Sequence, residues 1–79
     1  MLGEIRLRIE GGEIMELKLG ENIRRIRKEK GLSQVQLACK IIVANSYICS
    51  LEMGKATPSM KTLKKIAAAL EVEVKELFA

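Results

Sequence analysis

Residues 33–52, SQVQLACKIIVANSYICSLE, place the tightest constraint on how this chain folds. Leu37, Ala38 and Ile41 are apolar at helical spacing, and so are Ile48 and Leu51, three apart. Two short helices are therefore expected, joined by a link through Ile42 and Val43. Ser33 is a natural N-cap for the first. Gly54 is a natural stop for the second, which is expected over about residues 45–53. Each helix buries one side and leaves the other exposed, so the rest of the chain has to supply what covers the buried side.

The flanking segments fit that task. In ENIRRIRKEK, Ile23 and Ile26 face inward while Arg24, Arg25, Lys28 and Lys30 face out, and Gly31 closes the helix as a C-terminal cap. After the loop Lys55-Ala56-Thr57, Pro58 and Ser59 signal another start. That helix is expected to run to about Leu70, burying Leu63, Ile66, Ala67 and Leu70. Glu71-Val72-Glu73 is expected as a connection, and residues 74–78 as a short terminal helix whose Leu77 and Phe78 close the core.

The N-terminal residues carry a different signal. Ile5, Leu7 and Ile9 alternate with Glu4, Arg6 and Arg8, and Met15, Leu17 and Leu19 resume the alternation after Gly11-Gly12. Period two predicts a β-hairpin. A three-residue loop, Glu10-Gly11-Gly12, sets Leu7 opposite Met15, Ile5 opposite Leu17, Arg6 opposite Glu16 and Glu4 opposite Lys18. A lone hairpin is marginal in water, so its apolar face is expected to cover either its own domain or a second subunit. A competing reading extends the following helix backwards through residues 13–19, and Gly20 argues against it. The expected division is thus 1–19 as a hairpin extension and 20–79 as a helical domain.

At 79 residues the chain is one small domain. Aromatics are only 3% of it, so Leu, Ile, Val and Met must fill the core. No apolar run approaches the ~18 residues of a membrane span. The charged start predicts no secretory signal and a cytoplasmic location. The net charge of +4 is concentrated in residues 20–58, which hold seven basic and three acidic groups. That excess fits a polyanionic partner, and equally a solvated basic surface. Cys39 and Cys49 are the only cysteines, and there is no histidine and no Asp. No metal site, cofactor or catalytic constellation is expected, and the chain is not expected to be an enzyme.

Gly31-Leu32-Ser33-Gln34, Leu37-Ala38, Val43, Ile48, Glu52-x-Gly54, Pro58-Ser59, Leu63, Ile66-Ala67 and Leu70 together resemble the Cro/phage-repressor type of helix-turn-helix domain. The resemblance runs over about residues 20–79. It implies a mainly α, five-helix DNA-binding domain whose third helix enters the major groove of double-stranded DNA, and it says nothing of the hairpin. It also implies roles for single residues. Asn45, Ser46 and Ser50 would face base edges, with Tyr47 or Cys49 at the border. Asn offers adenine a donor and an acceptor together, and Ser can meet any base. Gln34 would contact a phosphate or an adjacent base. Lys55, Arg24 and Lys40 would contact phosphates. Arg27 and Glu52 would form a structural ion pair between the first and third helices. Each polar residue also has a plainer reading as solvated helix or loop surface.

Two positions depart from the family pattern. Ile42 stands where family members usually place Gly, at a position that tends to be left-handed and costs a β-branched residue about 1–2 kcal/mol. Ala44 replaces the usual Ser or Thr cap, at a cost of about 1 kcal/mol. The function that follows is a sequence-specific DNA-binding regulator, expected as a homodimer and with the hairpin as one route to it. The alternative is a protein-interaction module of the same fold, in which DNA contact is secondary. A third reading makes Cys39 and Cys49 a thiol sensor acting on DNA binding.

Overall fold

A computed structural model of the chain describes residues 12–78, with side chains from Lys18 onward. Four α-helices follow in order: α1 over Gly12–Glu29, α2 over Gln34–Ile41, α3 over Asn45–Glu52 and α4 over Met60–Leu70. A 3₁₀ turn over Val74–Phe78 ends the described chain. There is no strand among the described residues. No described helix is long and apolar enough to cross a membrane.

The expected hairpin is not formed. Its turn residue Gly12 and its whole second strand, residues 13–19, lie in α1. Its first strand falls outside the described residues. The competing reading, a helix extended backwards, is the one found. The period-two set Met15, Leu17 and Leu19 hides a helical one, because Met15, Leu19 and Ile23 are spaced by four. Glu, Met, Leu and Lys, which make up most of residues 13–19, are strong helix formers.

Gly20 was the argument against that helix, and the packing explains why it is tolerated. A Cβ built there would collide with the backbone carbonyl oxygens of Leu51 and Glu52. Gly20 therefore marks a close backbone approach of α1 to the C-terminal end of α3, not a break. The structure carries α1 across residue 19/20 without interruption, and Leu19 is buried in the common core.

That core lies between all four helices. Ile23 and Ile26 of α1 meet Leu37, Ala38 and Ile41 of α2, Ile48 and Leu51 of α3, and the Leu63, Ile66, Ala67 and Leu70 stripe of α4. Seven of the largest side chains there are fully buried, and truncating such a residue to Ala costs about 2–5 kcal/mol. The expected fifth helix is a five-residue 3₁₀ turn, too short for a run of α-type bonds. Leu77 enters the core from it, and the Leu77 carbonyl accepts a 2.9 Å bond from buried Asn22 Nδ2. Phe78, expected in the core with it, is 42% exposed. In this short turn Leu77 is buried and Val74 packs partly against the core, while Phe78 turns outward.

The helices are closed by one repeated device. Gly31, Ile42, Gly54 and Glu71 each have positive φ, at 74°, 60°, 76° and 61°. The residue after each sends its N–H back five positions: Leu32 to Arg27 O, Val43 to Ala38 O, Lys55 to Ser50 O and Val72 to Ala67 O. This pattern satisfies carbonyls that a helix end leaves open. Leu32, Val43 and Val72 also pack against the core, which anchors three of the four turns.

Candidate nucleic-acid interface

The α2–turn–α3 unit is positioned from both sides. Ser33 caps α2 by accepting from Gln36 N at 3.0 Å, and Gln36 Oε1 accepts from Ser33 N at 2.8 Å, a reciprocal capping box. Leu37, Ala38 and Ile41 are buried, which fixes the roll of α2. Ile42 then takes the left-handed conformation, φ 60° and ψ 57°, with its side chain 90% exposed. Ala44 begins α3 without any side-chain cap.

The C-terminal end of α3 is held more firmly. Arg27 Nε donates to Glu52 Oε2 at 2.6 Å and Arg27 Nη2 donates to Glu52 Oε1 at 3.1 Å. The two side chains are 8% and 3% exposed. Arg27 Nη1 donates to the Leu32 carbonyl at 2.7 Å, and Gln34 Nε2 donates to Glu52 Oε1 at 2.9 Å. One carboxylate thus gathers the end of α1, the start of α2 and the end of α3. A buried, two-point charged pair of this kind gives geometric specificity, and losing one partner strands a buried charge.

With Ile48, Leu51 and Glu52 turned inward, the outward row of α3 consists of Ser46, Ser50 and Met53, spaced four and three apart. Asn45 and Ser46 are exposed on its first turn, Ser50 and Cys49 are half-buried, and Tyr47 packs partly against the core. Glu52 is the one acid of α3, and Arg27 matches its charge. The cations beside this face therefore meet no net negative charge from α3.

Those cations do not all lie together. Arg24 is exposed on α1 and, with Lys28 one turn on, lines an open notch of about 250 Å³ against Cys49 and Met53 of α3. Lys55 is exposed in the loop immediately after α3. Lys40 lies elsewhere, lining a groove between the ends of α2 and α4 with Ile42, Lys65 and Glu71. Gln34, expected at DNA, already uses an amide donor on Glu52. Lys28 shares this notch with Arg24, and its i,i+4 spacing from Arg24 is the sequence signal that groups them.

The model of the helix-turn-helix family matches residues 23–77. The chain belongs to the helix-turn-helix family. Among its relatives is the immunity repressor protein of Bacillus phage phi105, 41% identical over 58 residues, which are 73% of this chain and 40% of the repressor. The regulator SinR of Bacillus subtilis is 45% identical over 60 residues, 75% of this chain and 54% of SinR. The chain thus spans about half or less of these curated relatives. A crystal structure of SinR, the master regulator for biofilm formation, in complex with DNA matches with a TM-score of 0.73 at 42% identity, over 77% of this chain and 98% of that one. As a helix-turn-helix protein the chain has α2 and α3 as its two defining helices, and the fold expectation holds in that coarser form.

Proposed function

We propose that this chain is a sequence-specific DNA-binding transcriptional regulator that lays α3 in the major groove. The observation that carries the reading is the outer side of α3, where Asn45 and Ser46 are exposed and Ser50 is half-buried, with exposed Arg24 and Lys28 on α1 and exposed Lys55 in the loop that follows α3. The family match and the likeness to the SinR–DNA structure support it. Asn45, Ser46 and Ser50 read base edges. Arg24, Lys28 and Lys55 neutralise phosphates and supply most of the salt-dependent affinity. Gln34 acts chiefly through Glu52, steadying α3, with its remaining amide donor turned to a phosphate. Lys40 lines a separate groove and contributes long-range attraction.

One domain of this size touches few bases. Binding as a homodimer on a near-palindromic site, with half-sites about 34 Å apart, supplies the missing discrimination. The role is binding and not catalysis, exercised in the cytoplasm where the DNA is. Residues 20–79 hold every proposed contact.

Selection of bound sequences from random duplex DNA tests the reading. A recovered half-site, repeated at one helical turn or a multiple of it, is the expected result. No retention of any duplex at about micromolar protein would instead favour the protein-interaction reading. Within a selected site, Asn45→Ala relaxes sequence preference at one position. Lys55→Ala weakens all sequences alike and lowers the slope of log affinity against log salt by about 1. Equal losses on specific and random duplexes for Asn45→Ala would remove Asn45 as a base reader.

A further inference from the structure

The outward side of α3 has a second chemistry beside its hydroxyls. Cys49 Sγ lies 3.6 Å from Met53 Sδ, so the thiol donates weakly to the thioether one turn on. Met53 is 51% exposed and Cys49 is half-buried. These two sulfur side chains line the notch together with Arg24 and Lys28, and its remaining lining is the Arg27–Glu52 pair with Gln34, whose carboxylate is already matched by Arg27. The notch therefore brings a soft apolar surface together with two cations that have no part in that pair.

We infer that Cys49 and Met53 form a receptor for the C5-methyl group of a thymine, with Arg24 and Lys28 seating the phosphate beside it. This rests on the reading that α3 enters the major groove, and adds to it the base that this part of the helix selects. Among the groups that bases present in that groove, the thymine methyl is the one apolar feature. Pressing a carbonyl or amino edge against thiol and thioether would strip it of water with little in return. A methyl group loses nothing there and gains contact with a polarizable, adaptable side chain. The hydroxyls of Ser46 and Ser50 can meet any base, so the sulfur pair carries discrimination that they lack. Because the methyl stands on the backbone side of its base, a cation next to the sulfur wall falls where a phosphate passes.

The test replaces each thymine of the selected half-site by uracil, one at a time, and measures binding by the full chain. Burying one methyl group corresponds to about a fourfold change in affinity. We expect one thymine per half-site to show a loss of that size with the wild-type chain. Met53→Ala, and separately Cys49→Ser, should weaken binding to the thymine site and show no further loss on the uracil site. Circular dichroism checks that each variant is folded, and the wild-type measurement stands without them. Uniform tolerance of uracil, a selected half-site without thymine, or equal losses on both duplexes for both variants would overturn the inference. In those outcomes a selected site still exists, and the DNA-binding reading survives. Failure to select any site overturns the reading itself, and this inference with it.

Discussion

The two ends of α3 are built on opposite plans. At its C-terminal end, Glu52 takes three donors from Arg27 and Gln34, Gly20 brings the α1 backbone into contact, and Gly54 supplies the left-handed turn without strain. At its N-terminal end, Ile42 makes the same kind of turn with a β-branched residue, and Ala44 offers no cap. The helix is thus anchored at the end away from Asn45 and Ser46 and lightly held where they stand. Recognition helices contact base edges mainly through their N-terminal residues. Firm anchoring at one end and loose anchoring at the other leaves small changes of helix angle cheap at the end proposed to read bases.

The firm end breaks most severely at Glu52. Glu52→Ala leaves Arg27 buried without its carboxylate and should cost about 3–5 kcal/mol, read as a fall in the urea midpoint. Replacing both partners, as in Arg27→Met with Glu52→Leu, should cost far less, since no charge is stranded. A loss below about 1 kcal/mol for Glu52→Ala would mean that the ion pair is not what fixes this end.

Gly20 offers a test whose sign decides the matter. In an open helix, Gly→Ala stabilises by about 1 kcal/mol. Here the added Cβ meets the Leu51 and Glu52 carbonyls, so Gly20→Ala should destabilise by about 1–3 kcal/mol. Thermal unfolding of the single variant is enough. A raised Tm would show that α1 and the end of α3 do not meet at backbone distance.

The contrast between the ends also separates what the sequence made legible from what it hid. The buried stripe was readable because Leu37, Ile48, Leu63 and Ile66 repeat at helical spacing whatever their neighbours do. The loose end was readable in part: Ile42 and Ala44 stand out against the family pattern, which leaves open a strained turn or a different geometry, and in the structure Ile42 is left-handed and Ala44 lacks a side-chain cap. The firm end was read only in part. Its ion pair comes with the resemblance, but Gly20 reads as a breaker, because a glycine that permits close packing and one that stops a helix look alike in one dimension. Residues 13–19 read as a strand for the related reason that a short apolar run satisfies period two and period 3.6 together. At the candidate interface, charge alone could not show that Arg24 and Lys28 share a notch while Lys40 lies apart. That grouping depends on how helices distant in sequence are packed.

The loose end can be tightened at its first residue. Ala44 has the extended backbone of a cap, φ −69° and ψ 145°, but no side-chain oxygen. Ala44→Ser supplies one to an N–H of the first turn and should stabilise by about 1 kcal/mol. In the same variant, affinity for a selected site should change less than stability does, because the cap adds no base contact. A fall in sequence preference that accompanies the gain would show that recognition uses the freedom of this end.

Ile42→Gly should give the smallest effect and is the most direct comparison of the two turns that bound α3. The left-handed conformation costs a β-branched residue about 1–2 kcal/mol, which glycine recovers. Glycine in turn gives the unfolded chain extra freedom, returning about 0.5–1 kcal/mol of that gain. The side chain is 90% exposed, so its removal sacrifices almost no burial. The balance is a stabilisation of about 0.5–1 kcal/mol, visible as a small rise in the urea midpoint at unchanged slope. At Gly54, where φ is 76°, the reverse change Gly54→Ala should lower the midpoint by a similar or slightly larger amount. If both variants move stability in the same direction, the two turns do not share one backbone requirement, and the asymmetry of α3 has another origin.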